Sequence, residues 1–186
     1  LLGVLAITDY CHLGILSLHK AIHTSQIRIY ISTLGNINTY TAYVAMLLGL
    51  SATLFALENR PQRMIWYYCC LVISFMAIIM GCSDNAYLSI ATIFVGLPFL
   101  LFQNPKGIER YLVILATFFS SIWAIDILNH SFSDIVPGLD SLFSIIVRFR
   151  GLPCVVMLLW AICGLYHIFS RKSARKHCYI RIWGIL

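Results

Sequence analysis

Two small polar clusters interrupt an otherwise apolar chain: Asn36, Asn38 and Tyr40 within "STLGNINTYTAYVAML", and Ser83, Asp84 and Asn85 within "IIMGCSDNAYLSIATIF". Asparagine amides and serine hydroxyls exchange hydrogen bonds with sugar hydroxyls or phosphate oxygens. A helix that starts at such a cluster adds unpaired backbone N–H donors and the positive end of its dipole, which suits an anion. The same residues also fit plainer roles. Asn38 reads as an N-cap, Gly35 as a permissive turn, Tyr40 and Tyr43 as interface anchors, and Asp84 as a cap for the helix opening at Ala86. An ionisable side chain close to membrane depth is nevertheless costly and tends to face a cavity, so Asp84 is a candidate functional residue as well as a cap.

A third pattern lies in "NHSFSDIVPGLDSLFSIIVRFRGLP". From Leu139 onward, Leu142, Phe143, Ile146 and Val147 recur at helical spacing and Arg148 and Arg150 follow, which predicts an amphipathic helix in the membrane interface. Those arginines either hold lipid phosphates or grip a pyrophosphate, for which the guanidinium fork is well shaped. His12, His19 and His23 lie near one helical face and read as interfacial or loop histidines, so no metal site is expected. Asp126 can pair with His130 across one helical turn. No phosphate-binding loop, dinucleotide fingerprint, G-x-S-x-G or zinc-protease motif occurs, and no cofactor is expected. The seven cysteines form no C-x-x-C pair, and Cys69, Cys70, Cys154 and Cys163 fall in apolar windows where they act as small hydrophobes.

The elements that position these residues must cross a bilayer. The chain is 60% hydrophobic and 11% charged, and its mean hydropathy is +0.86, a composition that excludes a soluble domain. A helix needs about 20 mainly apolar residues to cross the hydrocarbon core. Spans are expected at about Asn38 to Leu57, Met64 to Gly81, Ala86 to Phe102, Tyr111 to Leu128 and Leu152 to Phe169, with a partial span at Leu1 to Thr8 and another beginning at the C-terminal end. The expected fold is all-α, a polytopic transmembrane helix bundle with about five full spans and partial ones at both ends. The chain starts without Met and stops in an apolar run, and it therefore reads as one transmembrane domain, 1–186, from inside a longer protein.

Positive charge fixes the expected orientation, because Lys and Arg of short loops collect on the cytoplasmic side. With "ENRPQR" inside, alternation puts "QNPKGIER" and the loop 171–181 inside too, and these hold nine of the thirteen basic residues. The net charge of +6 thus sits at membrane hinges, and no nucleic-acid partner is expected. Asn36, Asn38, the 83–85 turn and the loop 129–150 fall on the outer face.

With that placement, "GNINTYTAYVAMLLGLSATLF", a basic hinge, and "RMIWYYCCLVISFMAIIMGCSDNAYLSIATIFVGLPFLLF" resemble the core of the O-antigen ligase and polymerase superfamily of bacterial membrane proteins. In that family an asparagine-rich motif opens one span, and a short polar turn opens another some 45 residues later, as Asn38 and Ser83 do here. The resemblance covers Ser32 to about Phe102 and is looser as far as Arg150. It implies a GT-C-like enzyme of the bacterial cytoplasmic membrane that moves a glycan from an undecaprenyl-pyrophosphate donor to a hydroxyl of a lipid, glycan or protein acceptor. Arg28, Asn36, Asn38, Tyr40, Ser83, Asp84, Asn85, Arg148 and Arg150 would contact substrate. Many family members carry Arg in the turn occupied here by Asp84 and Asn85. The pyrophosphate then falls to Arg28, Arg148 or Arg150, or this branch takes another donor. The family's essential histidine lies in a large outer loop downstream of such spans, so the catalytic base is expected outside this chain, and the chain alone is expected to be inactive. The rival expectation is a secondary transporter or flippase, in which Ser83 to Asn85 interrupt a discontinuous helix near the bilayer centre.

Overall fold

The structure, a computed structural model, describes residues 2–10, 36–81, 83–131, 145 and 151–183. Among them are six helices and no strand: α1 (Leu2–Tyr10), α2 (Ile37–Leu57), α3 (Pro61–Met80), α4 (Asp84–Leu101), α5 (Pro105–Ser131) and α6 (Leu152–Trp183). The all-α bundle expected from composition is what forms. Four helices, α2, α3, α5 and residues 152–170 of α6, are long and apolar enough to cross a membrane, and α4 is a shorter apolar helix. The chain is a multi-pass membrane protein.

Two of the reversals follow from local chemistry. At the first hinge the Glu58 carboxylate accepts the backbone N–H groups of Asn59 and Arg60 at 2.9 and 3.0 Å. Pro61 then opens α3 at a first-turn position, where its missing N–H costs nothing. At the second, Asn104 accepts the N–H groups of Gly107 and Ile108 through its carbonyl. Gly107 is required there, since a Cβ would collide with the Leu101 carbonyl. The basic segment 171–181, expected as a loop, instead continues α6 as helix. Its charges end the apolar run, but "RKSARKHCYIR" contains neither Gly nor Pro to end the helix.

α2 and α4 run in the same direction, as their starts meet at Asn38 and Asn85 and their last turns meet around Leu57 and Leu101. α3 and α5 run the other way, with Tyr68 and Thr117 hydroxyls 3.1 Å apart between them. α6 lies antiparallel against α5, tied by Trp160 to Ser120 at one level and Tyr166 to the Pro105 carbonyl at another. The bundle therefore has an asparagine end, where α2 and α4 begin, and a hinge end with Arg60, Arg63, Lys106 and Arg110.

Tyr40, Leu48, Leu71, Phe75, Ile78, Ile114 and Ile122 are fully enclosed between these helices, and an aromatic seam of Phe75, Phe94 and Phe118 runs through the middle. Lipid is as apolar as leucine, so helix association here relies on close packing and interhelical hydrogen bonds. Met46, Trp66, Leu88 and Phe99 point away from the protein with 67–76% exposure, as lipid-facing residues do. Hydroxyls within the spans are satisfied locally: Thr41, Thr53, Thr92 and Ser121 each donate to the carbonyl four residues back.

α4 contains Pro98, which cannot donate to the Phe94 carbonyl one turn earlier. That carbonyl accepts the Tyr111 hydroxyl of α5 at 3.1 Å instead. In a bilayer no water is available for the same task, so the proline and the tyrosine act as a pair.

Candidate functional site at the asparagine end

The two polar clusters, separated by 45 residues in sequence, meet in space. The Asn38 side-chain oxygen accepts the Ser83 hydroxyl at 3.3 Å and the Asn85 amide at 3.1 Å. Asn36 caps α2 with its own side-chain oxygen, 2.9 Å from the Asn38 backbone nitrogen. Asn36, not Asn38, is thus the N-cap, and Asn38 is released to bridge between helices. Ser83 occupies the N-cap position of α4 in extended backbone but spends its hydroxyl on Asn38 rather than on the helix.

Two helix N-termini are held side by side by this bridge. Each brings the positive end of a helix dipole to the cluster, while α3 and α5 bring their C-terminal ends to the same end of the bundle. The three asparagines are exposed and Ser83 is enclosed. With the Asn38 oxygen engaged, its amide hydrogens and the Asn85 oxygen are the groups the cluster offers, a set matched to hydroxyls and phosphate oxygens.

Tyr40 has a different place from the one expected of a substrate contact. It is wholly enclosed, and its hydroxyl donates to the Ala77 carbonyl at 3.0 Å. Ala77 is among the last four carbonyls of α3, which lack intrahelical partners, so Tyr40 closes that helix end from α2. Gly81 makes room for the ring, as a Cβ there would come within 3.2 Å of Tyr40 Cε1. Tyr40 thereby fixes the height of the 83–85 turn against the start of α2.

Asp84 is the first residue of α4; its side chain lies outside what the structure describes, as do Arg28, Arg148, Arg150, the three N-terminal histidines and the amphipathic segment from Leu139. Asp126 and His130 make no ion pair with each other; the ion pairs among the described residues are Arg63 with Glu58 and His167 with Glu109. Among the described residues no three His, Cys, Asp or Glu side chains gather where a metal would sit.

The opposite end holds features that the sequence reading missed. His167 Nδ1 and Glu109 Oε1 are 2.6 Å apart between α6 and α5. Arg110 contacts the Met64 sulfur and lies 5.0 Å from the Phe55 ring centroid, a cation over an aromatic face. A cleft of about 920 Å3 opens between the last turns of α2 and α4, the start of α5 and residues 166–170 of α6. The signal for the cleft was the pairing of two hinges with one long helix, which periodicity within each segment does not register. Comparison with protein-family models, curated proteins and solved structures gives no match to this chain.

Proposed function

We propose that the asparagine end lines the substrate cavity of an O-antigen ligase-like glycan transferase, working at the outer face of a bacterial cytoplasmic membrane on a polyprenyl-pyrophosphate-linked glycan. The observation that carries this reading is the bridge from Asn38 to Ser83 and Asn85. It joins the two motifs of the family resemblance into one polar surface at the start of two parallel helices, where donors for phosphate and acceptors for sugar hydroxyls lie together.

The division of labour follows from the chemistry. Asn38, Asn85 and the two helix starts orient the donor's glycan and pyrophosphate. The leaving pyrophosphate needs formal positive charge, for which Arg28, Arg148 and Arg150 are the candidates. A general base takes the proton of the acceptor hydroxyl as it attacks the anomeric carbon. The position of the turn also supports transfer over transport: α3 and α4 reverse direction at residues 81–83, at the end of the bundle, whereas a discontinuous transporter helix would be interrupted within the span.

The test is glycan transfer in proteoliposomes carrying the protein in its full-length form and a polyprenyl-pyrophosphate-linked oligosaccharide. Asn38→Ala and Asn85→Ala are expected to lower transfer about tenfold or more, as loss of positioning contacts does. Arg28→Ala and Arg148→Ala are expected to slow pyrophosphate release. Parental rates in both asparagine variants would contradict the site; parental rates in both arginine variants would contradict the arginine assignment alone.

A further inference from the structure

The cleft at the hinge end, remote from the asparagine cluster, has two kinds of wall. Leu57, Leu100 and Phe169 line it with apolar surface that stays 63, 61 and 68% exposed. Lys106, Asn59 and Asn104 line the remainder, beside the N-terminal turn of α5. It lies where the apolar spans stop, the level at which a spanning helix passes from acyl chains to headgroups. Its volume, about 920 Å3, is within the range of small-molecule sites.

The charge around the cleft is one-sided. The two acids of this end are already engaged, Glu58 by the hinge amides and Glu109 by His167. Lys106 is exposed and has no acid partner among the described residues. Ser170, the last wall residue on α6, is followed directly by Arg171 and Lys172 and then by Arg175 and Lys176, on a helix that continues past its apolar span. A basic run adjoining a transmembrane helix attracts anionic lipid. An apolar wall continuous with a cationic rim matches a molecule with acyl chains and a negative headgroup, whereas a soluble anion would leave the leucines and Phe169 unsatisfied.

We propose that this cleft is a binding site for an anionic phospholipid of the adjacent leaflet, with acyl chains against Leu57, Leu100 and Phe169 and the phosphate at Lys106. The site is separate from the glycan cavity and stands whether or not that reading holds.

Native mass spectrometry of the full chain released from nanodiscs of equal phosphatidylglycerol and phosphatidylethanolamine tests it. Phosphatidylglycerol is expected to be retained preferentially. Lys106→Ala should reduce that retention about fivefold, the effect of one basic residue near an anionic surface, and Lys106→Arg should preserve it. Arg63→Ala removes an equal charge from the same end outside the cleft and should leave retention unchanged; glycerol phosphate added in solution should not displace the lipid. Equal retention of both lipids, equal losses in Lys106→Ala and Arg63→Ala, or displacement by glycerol phosphate would each overturn the proposal.

Discussion

Asn38 and Tyr40 show how two neighbouring residues on one helix divide positioning from contact. Tyr40 turns inward and closes the C-terminal end of α3 through Ala77, while Asn38 turns toward α4 and carries the bridge to Ser83 and Asn85. Tyr40→Phe keeps the ring and leaves the Ala77 carbonyl short of a donor, so it should destabilise the protein by about 1–2 kcal/mol, read from thermal unfolding in detergent. Asn38→Ala should cost far less stability, since its bridge is partly exposed, and should fall mainly on substrate binding. A Tyr40→Phe variant that melts with the parent would show that the buried hydroxyl is not what holds this corner. The asparagines were legible as a polar helix start. Their meeting with the 83–85 turn was not, because periodicity reports a residue's face on its own helix and says nothing about which other helix start lies beside it.

At the scale of elements, the spans were legible because about 20 apolar residues suffice to mark a crossing, and the hinges because Pro61 and the charges around it cannot continue into lipid. The partner of Pro98 was not legible: a proline in an apolar span announces a free carbonyl four residues back, but the donor, Tyr111, comes from another helix. The pairing can be measured by a double-mutant cycle. Tyr111→Phe alone should cost about 1–2 kcal/mol. In a Pro98→Ala background, where residue 98 supplies its own N–H to Phe94, the same change should cost little, giving a coupling of about 1 kcal/mol. Additive effects would contradict the pairing. The first hinge carries a pH dependence. The backbone N–H of Arg60, with that of Asn59 and the nearby Arg63, holds the Glu58 carboxyl below its ordinary value against the opposing effect of desolvation. A carboxyl depressed in the folded state stabilises above its unfolded pKa, and that contribution disappears as pH falls through the folded value. Amide exchange at Asn59 and Arg60, corrected for its intrinsic pH dependence, should therefore rise only in acid below the usual carboxylate range. Glu58→Gln should remove the transition; an unchanged profile in that variant would assign it elsewhere.

At the scale of the whole molecule, the two ends of the bundle differ in chemistry: asparagine amides, Ser83 and two helix starts with Asp84 at one, and Arg60, Arg63, Lys106 and Arg110, with Glu58 and Glu109 engaged, at the other. The α6 apolar segment is only 17% enclosed, against 39% for α2, α3 and α5, so most of its surface is left to lipid or to neighbours. The charge asymmetry predicts sidedness: a cysteine introduced at Asn36 should react with an impermeant maleimide in intact cells, and one at Arg63 only after permeabilisation. The reverse pattern would invert the orientation and remove the asparagine end from the outer face. The central claim is that this end binds a polyprenyl-linked glycan, and photo-crosslinking addresses it most directly. A photoreactive undecaprenyl-pyrophosphate glycan incubated with the membrane-embedded protein should label residues 36–39 and 83–85, with labelling reduced about tenfold in Asn38→Ala with Asn85→Ala. Labelling that is confined to the hinge end, or that is unchanged in the double variant, would contradict the account.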